Sequence, residues 1–467
     1  MPNTNKFSAK ILFMRLFKRL DFWLIAGFIL AFFFILPFVP VIDGDTFYYL
    51  GKARRILATG DLFNSQTLTT KPVLGMWFMA LSLKICGLNL FGVYLWHTLF
   101  AAGSLWLLYR FTSRHFDRQT ALCSSAILLT SLMFFYQTAS PMLDIPMLFF
   151  LLLGQILVLE YLQTEQPRHL YGLGLAAGLG FLTKGLLPAA LPFLTAGVYL
   201  AATWRQRVWR AGLGRQFGRL AVTGIIFLAI CSVWLIPQFQ NHGAKFGAAL
   251  YSENIERFFH PIDETGGYRE VSSGVQVDPH LNILYLWLGF LPWSPLIIPA
   301  VHAAYKNKYF GRRPEILFML CWFFLALFLT SVSGHYKGPR YLLPLFPPLS
   351  ILCGAFLTSS AGNKYTRLIS LSFFWTGFVF AGLALSLPFI KYTHGEEVYL
   401  PVVLPFLICF TICLFSLAGL SRKNSGWQFT VYGALISYII LFTGAAAFLP
   451  GVHFPERYAA PQTRILK

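Results

Sequence analysis

Charged side chains are scarce in this sequence, and their scarcity excludes an ordinary soluble protein. Asp, Glu, Lys and Arg make up 12% of the 467 residues, whereas soluble domains contain about 25%. Apolar residues make up 56%, and the chain contains 48 Phe. Because the apolar residues are gathered into long runs, they predict an all-α polytopic membrane protein.

Motifs for several common chemistries are also missing. The sequence contains no P-loop, nucleophile elbow, CxxC or HExxH pattern. Its seven Cys do not form a disulfide framework, and the spacing of His242, His260 and His280 does not match a zinc site. The net charge of +19 fits the Lys and Arg that membrane proteins collect in cytoplasmic loops. We therefore predict no nucleic-acid partner and no catalytic metal.

Apolar segments long enough to cross a bilayer recur along the chain, since a spanning helix needs about 20 residues. They predict about 13 transmembrane helices (12 or 13), because the Gly-rich stretch 168–203 divides ambiguously. The predicted spans are 22–40, 92–112, 119–137, 141–163, 168–184, 186–203, 220–240, 281–304, 315–332, 341–359, 368–390, 400–420 and 428–449. The apolar segment 72–87 is shorter and predicts a helix on the outer surface.

Basic residues indicate the orientation of these spans. With a cytoplasmic N-terminus and alternating spans, the cytoplasmic segments carry most of the 37 Lys and Arg and few of the 18 Asp and Glu. This distribution obeys the positive-inside rule. It leaves a first outer loop at 41–91 and a large one at 241–280. We expect a single transmembrane domain, 1–467, with no sizeable C-terminal soluble domain.

The first outer loop combines acids, tyrosines and cations. Asp43 and Asp45 follow the first span, and Tyr48, Tyr49 and Lys52 follow on a predicted amphipathic helix. Its apolar positions, expected at the membrane interface, are Phe47, Leu50, Ile56 and Leu57. The two acids are either solvated loop residues or a base acting on an anionic lipid, with cations to bind phosphate.

Three further charged positions lie at predicted outer ends. Lys71 begins the second surface helix and either binds phosphate or snorkels. Asp144 lies just inside a span, where a carboxylate needs a partner or a cavity. Lys184 lies at the end of another span and has three interpretations: phosphate binding, pairing with Asp144, or snorkelling.

Two later outer segments complete the candidate site. The segment SENIERFF places Glu253, Glu256 and Arg257 on a predicted interfacial helix. The segment SGHYKGPRY brings Lys337, Arg340 and neighbouring tyrosines into one turn, a combination suited to a phosphate. The alternative for this second segment is a basic end of a membrane helix.

Six ordered motifs resemble one enzyme family. They are IDGDTFYYLGKARRILATGD, TKPVLGMWFMALSLKICG, SPMLDIPMLFF, GFLTKGLLPAALP, SENIERFF and SGHYKGPRYLLPLFPPLSIL. In this order they resemble the polyprenyl-phosphate-dependent GT-C membrane glycosyltransferases. Within these, they are similar to the lipid A aminoarabinose transferase (ArnT) branch and the protein O-mannosyltransferases. The chain departs from the ArnT-like pattern at Tyr48, Thr70 and Asn254.

The resemblance implies a GT-C fold and a division of roles among the candidate residues. The implied catalytic residues are Asp45, Asp43 and Asp144. The substrate-binding residues implied by the resemblance are Lys71, Tyr49, Lys337 and Tyr341. From their charge and position in the sequence, we add Tyr48, Lys184, Glu253, Arg257 and Arg340 as predicted substrate-binding residues. No cofactor is predicted. The family leaves a divalent metal open, but the ligand spacing here does not support one.

The implied activity is inverting transfer of a sugar from a polyprenyl (undecaprenyl) phosphate carrier. Acceptors consistent with the family are lipid A or lipopolysaccharide, another glycan, or a protein. We expect a multi-pass protein of the bacterial inner membrane that contacts membrane lipids, with its active site on the periplasmic face. The alternative is a lipid or glycolipid transporter, which predicts ionisable residues near mid-membrane and repeat symmetry.

Overall fold

The computed structural model describes residues 44–63, 68–204, 212–256, 279–306, 313–332, 339–359, 371 and 373–376, and these residues form helices without any strand. The helices are α1 (Gly44–Thr59), α2 (Leu74–Cys86), α3 (Leu90–His115), α4 (Arg118–Thr130), α5 (Leu132–Thr138), α6 (Asp144–Thr164), α7 (Pro167–Lys184), α8 (Leu187–Thr203), α9 (Leu213–His242), α10 (Ala244–Tyr251), α11 (Pro279–Gly289), α12 (Ile297–Tyr305), α13 (Pro314–Val332) and α14 (Phe346–Thr358). A π-helical turn, Ser252–Glu256, follows α10, and 3₁₀ turns at Ser294–Leu296 and Pro339–Leu345 precede α12 and α14.

The apolar helices confirm a polytopic membrane protein. Five helices in the described residues are long and apolar enough to cross a bilayer, and one of them is α14 extended by the 3₁₀ turn before it. The number rises to seven if each of two bent helix pairs is counted as one span. The pair α4–α5 bends by 66°, and the pair that begins with α11 and ends with α12 bends by 112°. The predicted spans 22–40, 400–420 and 428–449 lie outside the described residues, as does nearly all of 368–390. The total of about 13 therefore stays a prediction.

Local sequence signals explain where several helices begin and end. Asn89 Oδ1 accepts a hydrogen bond from Gly92 N at 2.8 Å and caps α3, and Asp117 caps α4 through Thr120 N at 2.9 Å. These side chains satisfy backbone donors that a helix start leaves unpaired. Gly87 and Gly185 end α2 and α7 at φ values of 83° and 85°, which a residue with a Cβ adopts only with strain.

Helix α6 lies at the centre of the described bundle. It packs against α3, α7 and α8, and 78% of its most apolar 18-residue window is buried. The corresponding share for α9 is 17%, because that helix presents most of its apolar surface outward. Since α6 starts at Asp144, this central position brings an acidic helix end close to several neighbouring elements.

Helices α1 and α2 form a small cluster of their own beside α3. Tyr49, Leu50, Ala53 and Ile56 of α1 are buried among residues of α2, α3 and the segment before α6. Their spacing of three and four residues matches one face of a helix. The prediction that Leu50 and Ile56 lie at the membrane interface is therefore wrong. Protein packing covers this face, and it fixes the first outer loop to the bundle.

Close packing of α4 against α14 gives a first testable prediction. A Cβ on Gly354 would lie 2.2 Å from Ser124 Oγ and 2.9 Å from Ser124 N, so Gly354→Ala forces the two backbones apart. We expect a loss of about 1–3 kcal/mol in the free energy of unfolding, seen as a lower melting temperature in detergent. Gly197→Ala in α8 is the control, since a Cβ there meets nothing within 4 Å. Equal melting temperatures for the two variants would contradict this packing.

Candidate active site

A cavity of about 410 Å³ lies where the outer loops meet the bundle, and five predicted site residues line it. They are Tyr49, Lys71, Lys184, Glu253 and Tyr341. The volume falls within the range of about 300–1,000 Å³ typical of small-molecule sites. Chain segments separated by hundreds of residues thus contribute to one compartment.

Asp144 and Lys184 form an ion pair across the ends of two helices. Asp144 begins α6 and is 2% exposed, and an acid in the first helical turn is stabilised by the helix dipole. Lys184 ends α7, and its Nζ donates to Asp144 Oδ1. The same Nζ lies 5.2 Å from the centroid of the Tyr341 ring. Of the three interpretations that the sequence allows for Lys184, the structure shows pairing with Asp144.

Asp45 and Arg340 form a second ion pair beside the cavity. Arg340 Nη2 lies 3.0 Å from Asp45 Oδ2, which joins α1 to the turn before α14. Arg340 Nη1 donates to Met142 Sδ at 3.1 Å, and the guanidinium carbon lies 5.8 Å from the Tyr341 ring centroid. The guanidinium is thus held between the predicted base and the cavity wall.

Lys71 and Glu253, which both line the cavity, form a third ion pair. Lys71 Nζ donates to Glu253 Oε1, which links the start of the second surface helix to the π-helical turn after α10. Asn254 lies on the same turn and approaches Gly185 so closely that a Cβ there would meet Asn254 Oδ1 at 2.9 Å. A glycine after Lys184 therefore allows the turn to close over the end of α7.

Tyr49 is the buried phenol of the site. It is 5% exposed. Burial raises the pKa of its hydroxyl well above the ordinary value, and the Asp45 and Asp144 carboxylates raise it further. Tyr49 therefore stays protonated over the physiological pH range, so its hydroxyl is able to donate a hydrogen bond. Its neighbour Tyr48 is 43% exposed, bonds Thr69 Oγ1 at 3.3 Å, and is not among the residues that line the cavity.

The chain was compared with known proteins. Residues 70–236 match the family model described as dolichyl-phosphate-mannose-protein mannosyltransferase. An undecaprenyl phosphate-α-4-amino-4-deoxy-L-arabinose arabinosyl transferase from Pectobacterium atrosepticum is 26% identical over 86% of this chain and 71% of its own length. A protein of the same name from Pseudomonas paraeruginosa is 29% identical, over 79% of this chain and 64% of its own length.

A solved structure shares the fold. The crystal structure of ArnT from Cupriavidus metallidurans bound to undecaprenyl phosphate superposes with a TM-score of 0.73 and 20% identity, covering 92% of this chain and 78% of the other. The chain is similar in sequence to polyprenyl-phosphate glycosyltransferases, and it shares the fold of ArnT. The family resemblance stated from the six motifs is confirmed, and the transporter alternative receives no support from these relatives.

Similarity to these transferases agrees with a multi-pass inner-membrane protein. Three predicted site residues, Asp43, Arg257 and Lys337, lie outside the described residues. The other nine predicted residues are described, and Tyr48 alone among them neither lines the cavity nor forms an ion pair with a predicted site residue. Its ring packs edge-on against that of Tyr49, with 5.6 Å between the ring centroids. The catalytic and binding roles of all twelve stay predictions.

Sequence reasoning missed the apolar wall of this cavity. The wall includes Leu187, Leu191 and Leu194 from α8 together with Ala326 and Leu329 from α13. In the sequence these residues are indistinguishable from side chains that face lipid, because both kinds are apolar and lie in long apolar runs. Their one available signal is position, since the α8 residues follow directly after the Lys184-Gly185 motif.

A metal ion finds no ready set of ligands here. Among the described residues, no three His, Cys, Asp or Glu side chains are grouped so that they could hold one. The cavity carries Asn254 on the turn that also supplies Glu253, and a neutral amide is a weaker ligand than imidazole for a transition metal. The prediction of no catalytic metal stays a prediction.

Proposed function

We propose that this chain transfers a sugar from a polyprenyl-phosphate carrier to an acceptor at the periplasmic face of the inner membrane. The observation that carries the proposal is that one cavity is lined by both cationic and apolar side chains. Lys71 and Lys184 line one part, and leucines of α8 line another. A lipid phosphate is complementary to both parts of this lining, because it joins an anion to a hydrocarbon chain.

The proposed reaction exchanges one bond at the anomeric carbon. The acceptor hydroxyl or amine attacks the anomeric carbon of the sugar from the face opposite the phosphate and loses its proton to the Asp45 carboxylate. The bond from that carbon to the phosphate oxygen breaks, and its electron pair leaves with the polyprenyl phosphate. The configuration is inverted. Because the donor already carries its lipid anchor, the reaction requires no nucleotide site.

The cations stabilise the leaving group in this scheme. Charge develops on the phosphate oxygen as the sugar departs, and fixed positive groups in a site of low dielectric lower the barrier. Lys71, Lys184 and Arg340 are the described cations that lie near the cavity or line it. Tyr49, which stays protonated, adds a neutral donor that does not compete for their charge.

Purified protein in liposomes tests the function. We would supply C55 polyprenyl-phosphate sugars, with lipid A, a lipid-linked glycan and a mixture of periplasmic proteins as separate acceptors, and measure released polyprenyl phosphate and labelled acceptor by mass spectrometry. Release that depends on one acceptor supports the proposal and names the acceptor class. Movement of intact polyprenyl-phosphate sugar across the bilayer, without release, would contradict it.

Substituting Lys71 tests the phosphate-binding part of the proposal. Lys71→Gln removes a charge-assisted contact, so we expect polyprenyl phosphate to bind roughly tenfold more weakly, the lower end of the effect of a hydrogen bond to a charged group. Lys84→Gln, on helix α2 that follows Lys71, is the control, since Lys84 is exposed and does not line the cavity. Affinities that fall equally in both variants would indicate a general attraction of the helix for anionic lipid instead.

A further inference from the structure

Every described cation of the candidate site already contacts a carboxylate. Lys71 pairs with Glu253, Lys184 pairs with Asp144, and Arg340 pairs with Asp45. Each pair joins two elements that are distant in sequence. A phosphate that enters the cavity therefore competes with protein carboxylates for the cations of the site. The three ion pairs differ in how readily they separate.

Exposure decides which pair yields first. The Asp144 side chain is 3% exposed, and removing the partner of a buried charge is strongly destabilising. The Asp45 side chain is 47% exposed and that of Arg340 is 27% exposed, so Asp45 is much more accessible to water than Asp144 when its cation leaves. Exposed ion pairs contribute about 0–1 kcal/mol. The Lys71–Glu253 pair, with side chains 35% and 25% exposed, leaves its carboxylate less hydrated than Asp45.

Arg340 is also placed to change partners. It belongs to the turn that carries Tyr341, and Tyr341 lines the cavity. Its guanidinium lies beside that ring and already uses both terminal nitrogens, one on Asp45 and one on the soft acceptor Met142. A planar guanidinium matches the two oxygens of a phosphate with parallel hydrogen bonds. A thioether competes poorly for such a donor.

We propose that Arg340 exchanges Asp45 for the phosphate of the donor when the donor binds. This inference rests on the proposed function and adds to it the order in which donor binding and acceptor activation occur. In the donor-free site Arg340 occupies the carboxylate that is to accept the acceptor's proton. When the phosphate takes the guanidinium, Asp45 turns to the acceptor. Donor binding therefore precedes activation of the acceptor, and the same arginine serves both states.

If Asp45 helped to bind the donor, Asp45→Asn would weaken the binding of polyprenyl phosphate. The proposed exchange predicts instead that this substitution strengthens it. We would measure the affinity of sugar-free C55 polyprenyl phosphate for the full chain in lipid nanodiscs. The variants are Asp45→Asn, Arg340→Gln and the double variant. Asp45→Asn should bind about three- to fivefold more tightly, because the phosphate no longer displaces a carboxylate whose pair contributes up to about 1 kcal/mol. Arg340→Gln should bind about tenfold more weakly.

The double variant separates exchange from general charge repulsion. If Asp45 acts by competing for Arg340, its removal changes nothing once Arg340 is gone, so the double variant should match Arg340→Gln. Asp61→Asn, on the loop after α1, controls for loss of one negative charge nearby. Arg340→Lys keeps a cation and should recover part of the affinity, which separates loss of charge from misfolding.

Three results would overturn the exchange. One is unchanged or weaker binding by Asp45→Asn. Another is the same tightening in the Arg340→Gln background or in Asp61→Asn, which would assign the effect to overall charge. Both leave the transferase proposal standing. If wild type fails to bind polyprenyl phosphate at all, the proposed function falls, and the exchange falls with it.

Discussion

Asp45→Asn should abolish sugar transfer while the protein still folds and still binds polyprenyl phosphate. Asparagine keeps the size of the side chain but cannot accept the proton that the acceptor releases. We expect the turnover rate to fall by about 10²- to 10⁴-fold, the usual contribution of a positioned general base. The measurement is release of polyprenyl phosphate from a polyprenyl-phosphate sugar at saturating acceptor membranes.

A matched carboxylate on the same loop provides the control. Asp61 Oδ1 accepts a hydrogen bond from Phe63 N at 3.2 Å in the turn after α1, so Asp61→Asn tests loss of charge at a position outside the cavity. It should retain wild-type turnover. If Asp45→Asn transfers sugar as fast as wild type at equal folded yield, Asp45 is a loop acid and the base must be sought elsewhere in the first outer loop.

Asp144→Ala should cause the largest loss of stability of any single change at the site. The substitution leaves the Lys184 ammonium at a largely buried position without its carboxylate. Breaking such a pair typically costs about 3–5 kcal/mol. We expect this loss in the free energy of unfolding, measured by titration with sodium dodecyl sulfate, together with a lower melting temperature.

A second variant distinguishes structural from catalytic use of this pair. Asp144→Asn combined with Lys184→Gln removes both charges and replaces them with polar groups, keeping the shape of Asp144 and part of the length of Lys184, so most of the lost stability should return. A stable double variant without transfer activity would place the pair in the reaction. A stable and active one would make it a structural clasp between α6 and α7. Wild-type stability in Asp144→Ala would contradict the buried pair itself.

The elements of this fold were largely readable from the sequence. The predicted segment 141–163 corresponds to α6, Asp144–Thr164, and the short segment 72–87 corresponds to α2, Leu74–Cys86. Helix formation depends on hydrogen bonds between residues four apart and on the hydropathy of a continuous segment. Both quantities are local, so the sequence contains them in full.

Helix bends and the burial of helix faces were harder to predict from the sequence. The predicted span 119–137 is two helices that meet at 66°, and the amphipathic face of α1 packs on protein instead of lipid. An apolar run has the same composition whether it continues straight, bends, faces lipid or faces another helix. Only the neighbouring helices distinguish these outcomes.

The sequence by itself determined that this protein is a helical membrane protein, and its ordered motifs indicated a resemblance to one enzyme family and the acids and cations to examine. The tertiary structure decided which of these side chains meet. Lys71 and Glu253 are 182 residues apart, and Lys184 and Asp144 are 40 apart, yet each pair is in contact. Partner choice depends on how whole helices pack, because a charge at a membrane surface interacts with whatever the fold places within a few ångströms. No local pattern encodes that distance.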